Sequence, residues 1–235
     1  MSQHLIWAEY AKKKFNSNFF IFVIISNDFF ESISKYEASP GFHRFVLKEN
    51  NEWELSLTNY TPSILRKIFR NSKLAMYLIT NLKVQSLLNL QLNLGKGDSR
   101  VKYVSNFDAD VSEAFWKEAK LVTDIYINNA EKFSGVKKEN ILFVIDGIRP
   151  QLYNMKNNLD ISESFWYKIR NYFIMQASLK GFEVIDMQKE FIKDYMQNNK
   201  KFEFITDSHW NSVGHAAVTK SIIESDVWSK FLKSK

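Results

Sequence analysis

Three short apolar runs limit the fold more than any other feature of this chain. They are Phe19 to Ile25, Ile141 to Ile145 and Phe182 to Asp186. The first two are unbroken stretches of β-branched and aromatic residues, the pattern of strands covered on both faces of a parallel sheet. Long amphipathic stretches lead into the second and third runs: Val111 to Phe133, closed by Gly135, and Ser162 to Leu179, followed by Gly181. Glycine just past the last periodic residue is a helix stop. Helices of this length alternating with short apolar strands imply right-handed βαβ crossovers and a layered α/β fold. With only seven Gly and three Pro, the chain lacks the turn residues that a sandwich of many short strands requires.

Other segments fill in the order of elements. His4 to Phe15 reads as a helix with Leu5, Ala8 and Ala11 or Phe15 on one side and Lys12 to Lys14 at its end, where cations suit the helix dipole. The first apolar run is expected to be a central strand. His43 to Lys48 and Trp53 to Thr58 flank Glu49-Asn50-Asn51-Glu52 and read as a hairpin inserted in the core fold. Pro62 to Leu92 reads as one or two helices. The whole of residues 1–235 is expected to form one domain, with about 40–110 as a variable insertion.

Composition narrows the function classes. Without cysteine there is no disulfide, no Cys-ligated zinc and no cysteine nucleophile. The formal net charge of +6 arises from 32 Lys and Arg against 26 Asp and Glu. The lysines are scattered along the sequence and no nucleic-acid motif accompanies them, so no nucleic-acid partner is expected. No apolar run reaches the ~20 residues that span a bilayer, and the first fifteen residues lack a signal-peptide core. Localisation stays open: as the chain stands it reads as cytoplasmic, with a preceding export signal as the alternative.

The segment richest in chemistry is Thr206-Asp-Ser-His-Trp-Asn-Ser-Val-Gly-His215. Asn211 suits the N-cap of the helix that follows, which fixes the angle at which His209 leaves the loop. A histidine base takes a hydroxyl proton near neutral pH, and an acid at its other ring nitrogen fixes the tautomer. Asp207 is the nearest acid. His215 reads as structural, and Trp210 as a packing residue or pocket wall. At the other end of the chain, Val23-Ile-Ile-Ser-Asn-Asp-Phe29 is an apolar strand that stops at polar residues, and open α/β sheets place ligands at the carboxyl ends of their strands.

Taken together, Asp-x-His-Trp-Asn-x-x-Gly-His and the strand ending in Asn27-Asp28 resemble the C-terminal and Gly-x-Asn-Asp blocks of the SGNH/GDSL-type serine esterases and acyltransferases. Two departures stand out. Ile25 occupies the position of the family's glycine, and the spacing Asp-x-His is shorter than the commoner Asp-x-x-His, resembling the branch of polysaccharide O-acetyltransferases. The resemblance implies a three-layer, flavodoxin-like fold with a mostly parallel sheet and a small inserted hairpin. It implies His209 as base, Asp207 as its acid and Asn27 as oxyanion donor, with Asp28 and Trp210 near the substrate. The substrate class would be a small-molecule or carbohydrate acyl ester, with no cofactor and no metal.

The family's Gly-Asp-Ser block should precede the Asn block, yet too few residues lie ahead of Asn27 for it. The resemblance therefore implies a domain that is N-terminally incomplete here and lacks its serine. The triplet Gly97-Asp98-Ser99 does not restore it, because it follows polar residues instead of a buried strand and reads as a solvated loop. Ser26 and Ser208 adjoin the motifs without an elbow pattern. The alternative from another class is a non-catalytic, SGNH-like module that binds carbohydrate or a partner.

Overall fold

The computed structural model describes residues 1–35, 40–48, 52–59, 71–74, 77, 111–153, 162, 164–204 and 209–234. Within them the chain is a mixed α/β protein. Helix α1 (Ser2–Phe15) leads into strand β1 (Phe20–Ile24) and the short helix α2 (Asn27–Glu31). A hairpin of β2 (His43–Leu47) and β3 (Trp53–Leu57) follows. Then come α3 (Glu113–Ser134), β4 (Ile141–Ile145), α4 (Arg149–Tyr153), α5 (Phe165–Leu179) and β5 (Glu183–Asp186). The chain closes with α6 (Met187–Asn198), α7 (Ser212–Ile223) and α8 (Asp226–Lys233).

The three apolar runs form one parallel sheet in the order β1-β4-β5. Phe20 pairs with Ile141 and Ile24 with Ile145, while Leu142 pairs with Glu183 and Ile145 with Asp186. The central strand is β4, not β1: all five of its residues are fully buried, whereas Ile21 of β1 is 40% exposed. Alternation divides the core into two layers. Phe22, Ile24, Phe143 and Ile145 pack with α1, α3 and α5, whereas Leu142 and Val144 pack with α4, α6, α7 and α8. Helices thus cover both faces of the sheet, as a parallel sheet requires to keep its apolar strands from water. A buried aromatic such as Phe143 contributes about 1.5–3 kcal/mol by leaving water.

The helix boundaries follow from capping chemistry. Ser112 accepts from Phe115 N, Ser164 from Tyr167 N, Asp186 from Gln188 N and Ser225 from Trp228 N. Each satisfies an N–H group that the first turn leaves without a partner. Gly135 ends α3 with φ at 63°, a left-handed value that glycine adopts without strain. At the end of α1, Phe15 is 68% exposed, so the buried stripe of that helix stops at Leu5 and Ala8. The hairpin forms as expected, as a separate two-stranded antiparallel sheet in which His43 pairs with Leu57 and Leu47 with Trp53. It docks on the start of α1, where Ser2 Oγ donates to the His43 carbonyl at 2.8 Å and His43 N donates to Gln3 Oε1 at 3.0 Å. Of residues 62–92, where one or two helices are expected, only 71–74 and 77 lie within the described residues.

Candidate functional site

Parallel strands leave one edge of the sheet lined by carboxyl ends, and here each strand meets an aspartate at that edge. Asp28 follows β1, Asp146 follows β4 and Asp186 closes β5. All three carboxylates are engaged within the fold. Asp28 Oδ2 accepts from Ile25 N at 2.8 Å. Asp186 Oδ1 caps α6 and meets the Arg170 guanidinium. Asp146 is 1% exposed; its Oδ1 accepts from Gly147 N and from the Trp210 indole, both at 2.9 Å, and its Oδ2 accepts from Arg149 at 3.1 Å.

The Trp210 contact joins the histidine block to the sheet. Asp146 N donates to the Ile24 carbonyl at 3.0 Å, so Asp146 sits beside the end of β1, and the indole that reaches it brings His209 to the same edge. Asn211 fixes the loop from the other side. Its Oδ1 accepts from Val213 N at 2.9 Å and Gly214 N at 3.0 Å. Its Nδ2 donates to the carbonyls of Lys201 at 2.9 Å and Glu203 at 2.8 Å, and its backbone N donates to Phe202 O at 2.8 Å. Gly214 is required by close approach, since a Cβ there would lie 2.5 Å from Phe202 O and 3.0 Å from Trp210 Cβ. Thus Trp210, Asn211 and Gly214 hold the turn. His209 is exposed on it, and His215 packs edge-on to Trp210 at 5.7 Å.

Beneath this turn lies a polar cluster that the sequence motifs do not announce. Arg149 is 4% exposed and lies between Asp146 and Glu203, whose Oε2 is 3.7 Å from Arg149 Nη1. Tyr153 donates to Glu203 Oε2 at 2.6 Å and accepts from Phe202 N at 3.0 Å. Burial, and then the Glu203 carboxylate, push the Tyr153 phenol above its ordinary range. Tyr153 is therefore a neutral donor that ties α4 to the segment leading into the histidine loop. The one available signal was the abrupt stop of the second apolar run at Asp146-Gly147, the same feature that drew attention to Asn27.

The Asn block stands on the same edge with different support. Asn27 opens α2, and its Nδ2 donates to Glu31 Oε1 at 2.7 Å on the exposed side of that helix. Asp28 points back into the fold, where Oδ1 lies 3.5 Å from the Met1 amine and 3.9 Å from His4 Nε2. His4 Nδ1 is 3.4 Å from the Tyr126 hydroxyl. Burial holds the His4 imidazole down to about 4, with Asp28 opposing. Ser26 lies at the β1 end with 6% exposure and α-helical backbone angles, not the strained, exposed turn of a nucleophile elbow. Asp207, Ser208 and Ser99 lie outside the described residues. Among the described residues no group of three or more His, Cys, Asp or Glu has the geometry to hold a metal.

No family model, curated protein or solved structure matches the chain. What the carboxyl edge can do is therefore argued from its geometry and from the resemblance of its motifs. An exposed histidine next to the anchored Trp210 and Asn211 and an amide at the end of β1 share an edge where ligands of open α/β sheets bind.

Proposed function

We propose that this chain carries the base and oxyanion parts of an SGNH/GDSL-type acyl-ester hydrolase or O-acyltransferase. In this reading His209 is the base, Asp207 its orienting acid and Asn27 the oxyanion donor, while the nucleophilic serine is supplied from outside the described residues. The observation that carries the proposal is the bond from Trp210 to Asp146 together with the fivefold anchoring of Asn211. These contacts present His209 at the carboxyl edge beside the end of β1, although the two blocks are separated by most of the chain. Strand order supports it as well. The flavodoxin-like order is 2-1-3-4-5, and three parallel strands laid side by side in chain order match its 3-4-5 flank.

In this reading the remaining residues have supporting parts. Asn27 reaches an oxyanion by giving up its exposed bond to Glu31, a small cost because solvent competes for both partners. Asp28 closes the turn that sets the position of Asn27, and Trp210 holds the histidine loop. An amide aimed at the developing negative charge of a tetrahedral intermediate lowers the barrier by about 3 kcal/mol.

The test supplies the missing nucleophile chemically. Without an activated serine, an activated ester such as p-nitrophenyl acetate is expected to turn over slowly, with hydroxylamine adding a protein-dependent rate above its own reaction with the ester, and His209→Ala is expected to abolish that protein-dependent part. A fluorophosphonate, which esterifies activated serines, is expected to leave the chain unmodified. Labelling at Ser99 would move the nucleophile into the variable region. A protein-dependent acceleration, corrected for the reaction of hydroxylamine with the ester alone, that survives His209→Ala would remove the catalytic reading and favour a non-catalytic module on the same scaffold.

A further inference from the structure

The lysines that are scattered in sequence are gathered by the fold. Every helix that leads into a parallel strand ends at the amino edge of the sheet, opposite His209. Lys13 and Lys14 end α1 before β1, Lys137 precedes β4, and Lys180 follows α5 before β5. Helix α8 lies along the same edge, since Glu183 at the start of β5 accepts from Asp226 N and Val227 N, each at 2.8 Å, and Lys230 Nζ donates to the Glu139 carbonyl at 3.3 Å. It adds Lys230 and Lys233. All six of these lysines are exposed. Acidic residues share the edge: Glu9 pairs with Lys13, Glu131 accepts from Lys138 N, and Glu183 is turned inward as the α8 cap. Glu139 and Asp226 remain beside the lysines. The helix dipole accounts for a cation or two at each helix end; it does not account for the apolar side chains among them. Phe15 is 68% exposed, Leu179 75% and Leu232 54%. An open cavity of about 310 Å³ lies between the start of β1 and the end of α8, lined by Ser17, Asn18, Phe19, Phe231 and Ser234.

We propose that the amino edge of the sheet docks the protein on an anionic lipid surface. Lysines draw the face to the headgroups, while Phe15, Leu179 and Leu232 enter the boundary between headgroups and acyl chains. The exposed aliphatic residues decide for lipid over nucleic acid. A backbone-binding face uses cations alone or adds aromatic platforms for bases, and leucines at the protruding helix ends serve neither purpose. The orientation leaves the carboxyl edge facing away from the membrane. The inference is independent of the proposed chemistry, because it concerns the opposite edge and is read without turnover.

The experiment is cosedimentation of the full chain with vesicles of phosphatidylcholine alone or with about one-third phosphatidylserine. Binding is expected on the anionic vesicles at about 50 mM salt and is expected to be lost near 500 mM. Each lysine near such a surface is worth about fivefold in partitioning. Reversing four of them (Lys14→Glu, Lys180→Glu, Lys230→Glu and Lys233→Glu) is therefore expected to weaken binding at least about a hundredfold. Phe15→Ser, Leu179→Ser and Leu232→Ser together are expected to weaken it about tenfold at physiological salt. All seven positions are exposed, and circular dichroism checks that the variants fold. Failure of the wild type to bind anionic vesicles at low salt overturns the proposal, as does equal binding to neutral vesicles. So does a triple-serine variant that binds as well as the wild type, which would mark the face as a general polyanion site. Tighter binding to duplex DNA than to anionic vesicles at equal salt would reassign it to nucleic acid.

Discussion

The two motif-bearing turns at the carboxyl edge are built in opposite ways. The histidine turn is held by partners distant in sequence: Trp210 on Asp146 across 64 positions, and Asn211 on a segment eight to ten residues back. The asparagine turn is held chiefly by its own neighbours, Asp28 on Ile25 and Asn27 on Glu31, with longer contacts from Asp28 to the Met1 amine and His4. A turn fixed by long-range contacts keeps its side chain in place only while the fold is intact. A local turn keeps its shape through bonds within one helical turn, yet holds its side chains loosely where solvent competes. The difference teaches which residues of a motif serve architecture. In the histidine block Trp210, Asn211 and Gly214 have structural work enough to explain their identity.

That contrast breaks first at Asp146. Asp146→Ala leaves the buried Arg149 with Glu203 alone at 3.7 Å and strips the indole and Gly147 N of their acceptor. Removing one partner of a buried ion pair costs about 3–5 kcal/mol, so a loss of this size is expected in denaturant unfolding. Asp146→Asn keeps an acceptor oxygen and is expected to lose less. If Asp146→Ala costs under about 1 kcal/mol, water reaches Arg149 and the cluster does not anchor the histidine turn.

Next in size are Gly214→Ala and Asn211→Ala. Alanine ordinarily stabilises a helical glycine position by about 1 kcal/mol. At Gly214 the sign is expected to reverse, to a loss of about 1–3 kcal/mol, because the new methyl meets the Phe202 carbonyl, which is backbone and has no rotamer to yield. Asn211→Ala removes a helix cap and two donors and is expected to lose about 2 kcal/mol. Thermal unfolding of the two variants checks both. A stabilised Gly214→Ala would mean that the α7 start shifts freely, and the histidine turn with it.

How much of this was legible beforehand follows from which forces are local. The three strands, the long helices and the hairpin were readable because burial on both faces, glycine stops and turn residues leave their mark on consecutive positions. The centrality of β4 was not, since strand order depends on crossovers and not on composition. The Arg149, Tyr153 and Glu203 cluster escaped because its members look like solvated polar residues until the fold closes over them. Likewise the lysines at the amino edge look scattered until helix ends are laid side by side. The motifs pointed to His209 and Asn27 as candidates, and Asp28, read as a substrate residue, accepts from Ile25 N.

The hairpin side of the local turn supplies a pH test. His4 is held down to about 4 by burial, against an ordinary 6.5, and its ring faces Asp28, Tyr126 and the Met1 amine. Between those values the unfolded chain binds a proton that the folded chain refuses, so stability falls as pH drops through 6.5 towards 4. Because His4 keeps 29% of its side-chain surface exposed, the loss is expected to be about 1–2 kcal/mol, below the full linkage value. His4→Gln is expected to flatten that part of the profile, which urea midpoints at pH 7 and 4.5 measure. A profile unchanged by the substitution would mean that other groups carry the acid sensitivity.

The smallest expected effect on stability is the most useful for function. Asn27→Ala removes one exposed bond to Glu31 and leaves the Asp28 turn intact, so its cost should lie within about 0.5 kcal/mol. If the Asn27 amide also receives the oxyanion, the same substitution should slow the protein-dependent part of hydroxylamine-accelerated ester turnover about a hundredfold, with unfolding unchanged. The separation is possible only because the asparagine turn is local. The corresponding experiment at Asn211 would lose fold and rate together and decide nothing. Asn27→Asp sharpens the test, since it keeps size and helix position while replacing the donor by a charge that repels the oxyanion. Equal rates for wild type, Asn27→Ala and Asn27→Asp would remove Asn27 from the site and leave His209 to act without an amide from β1.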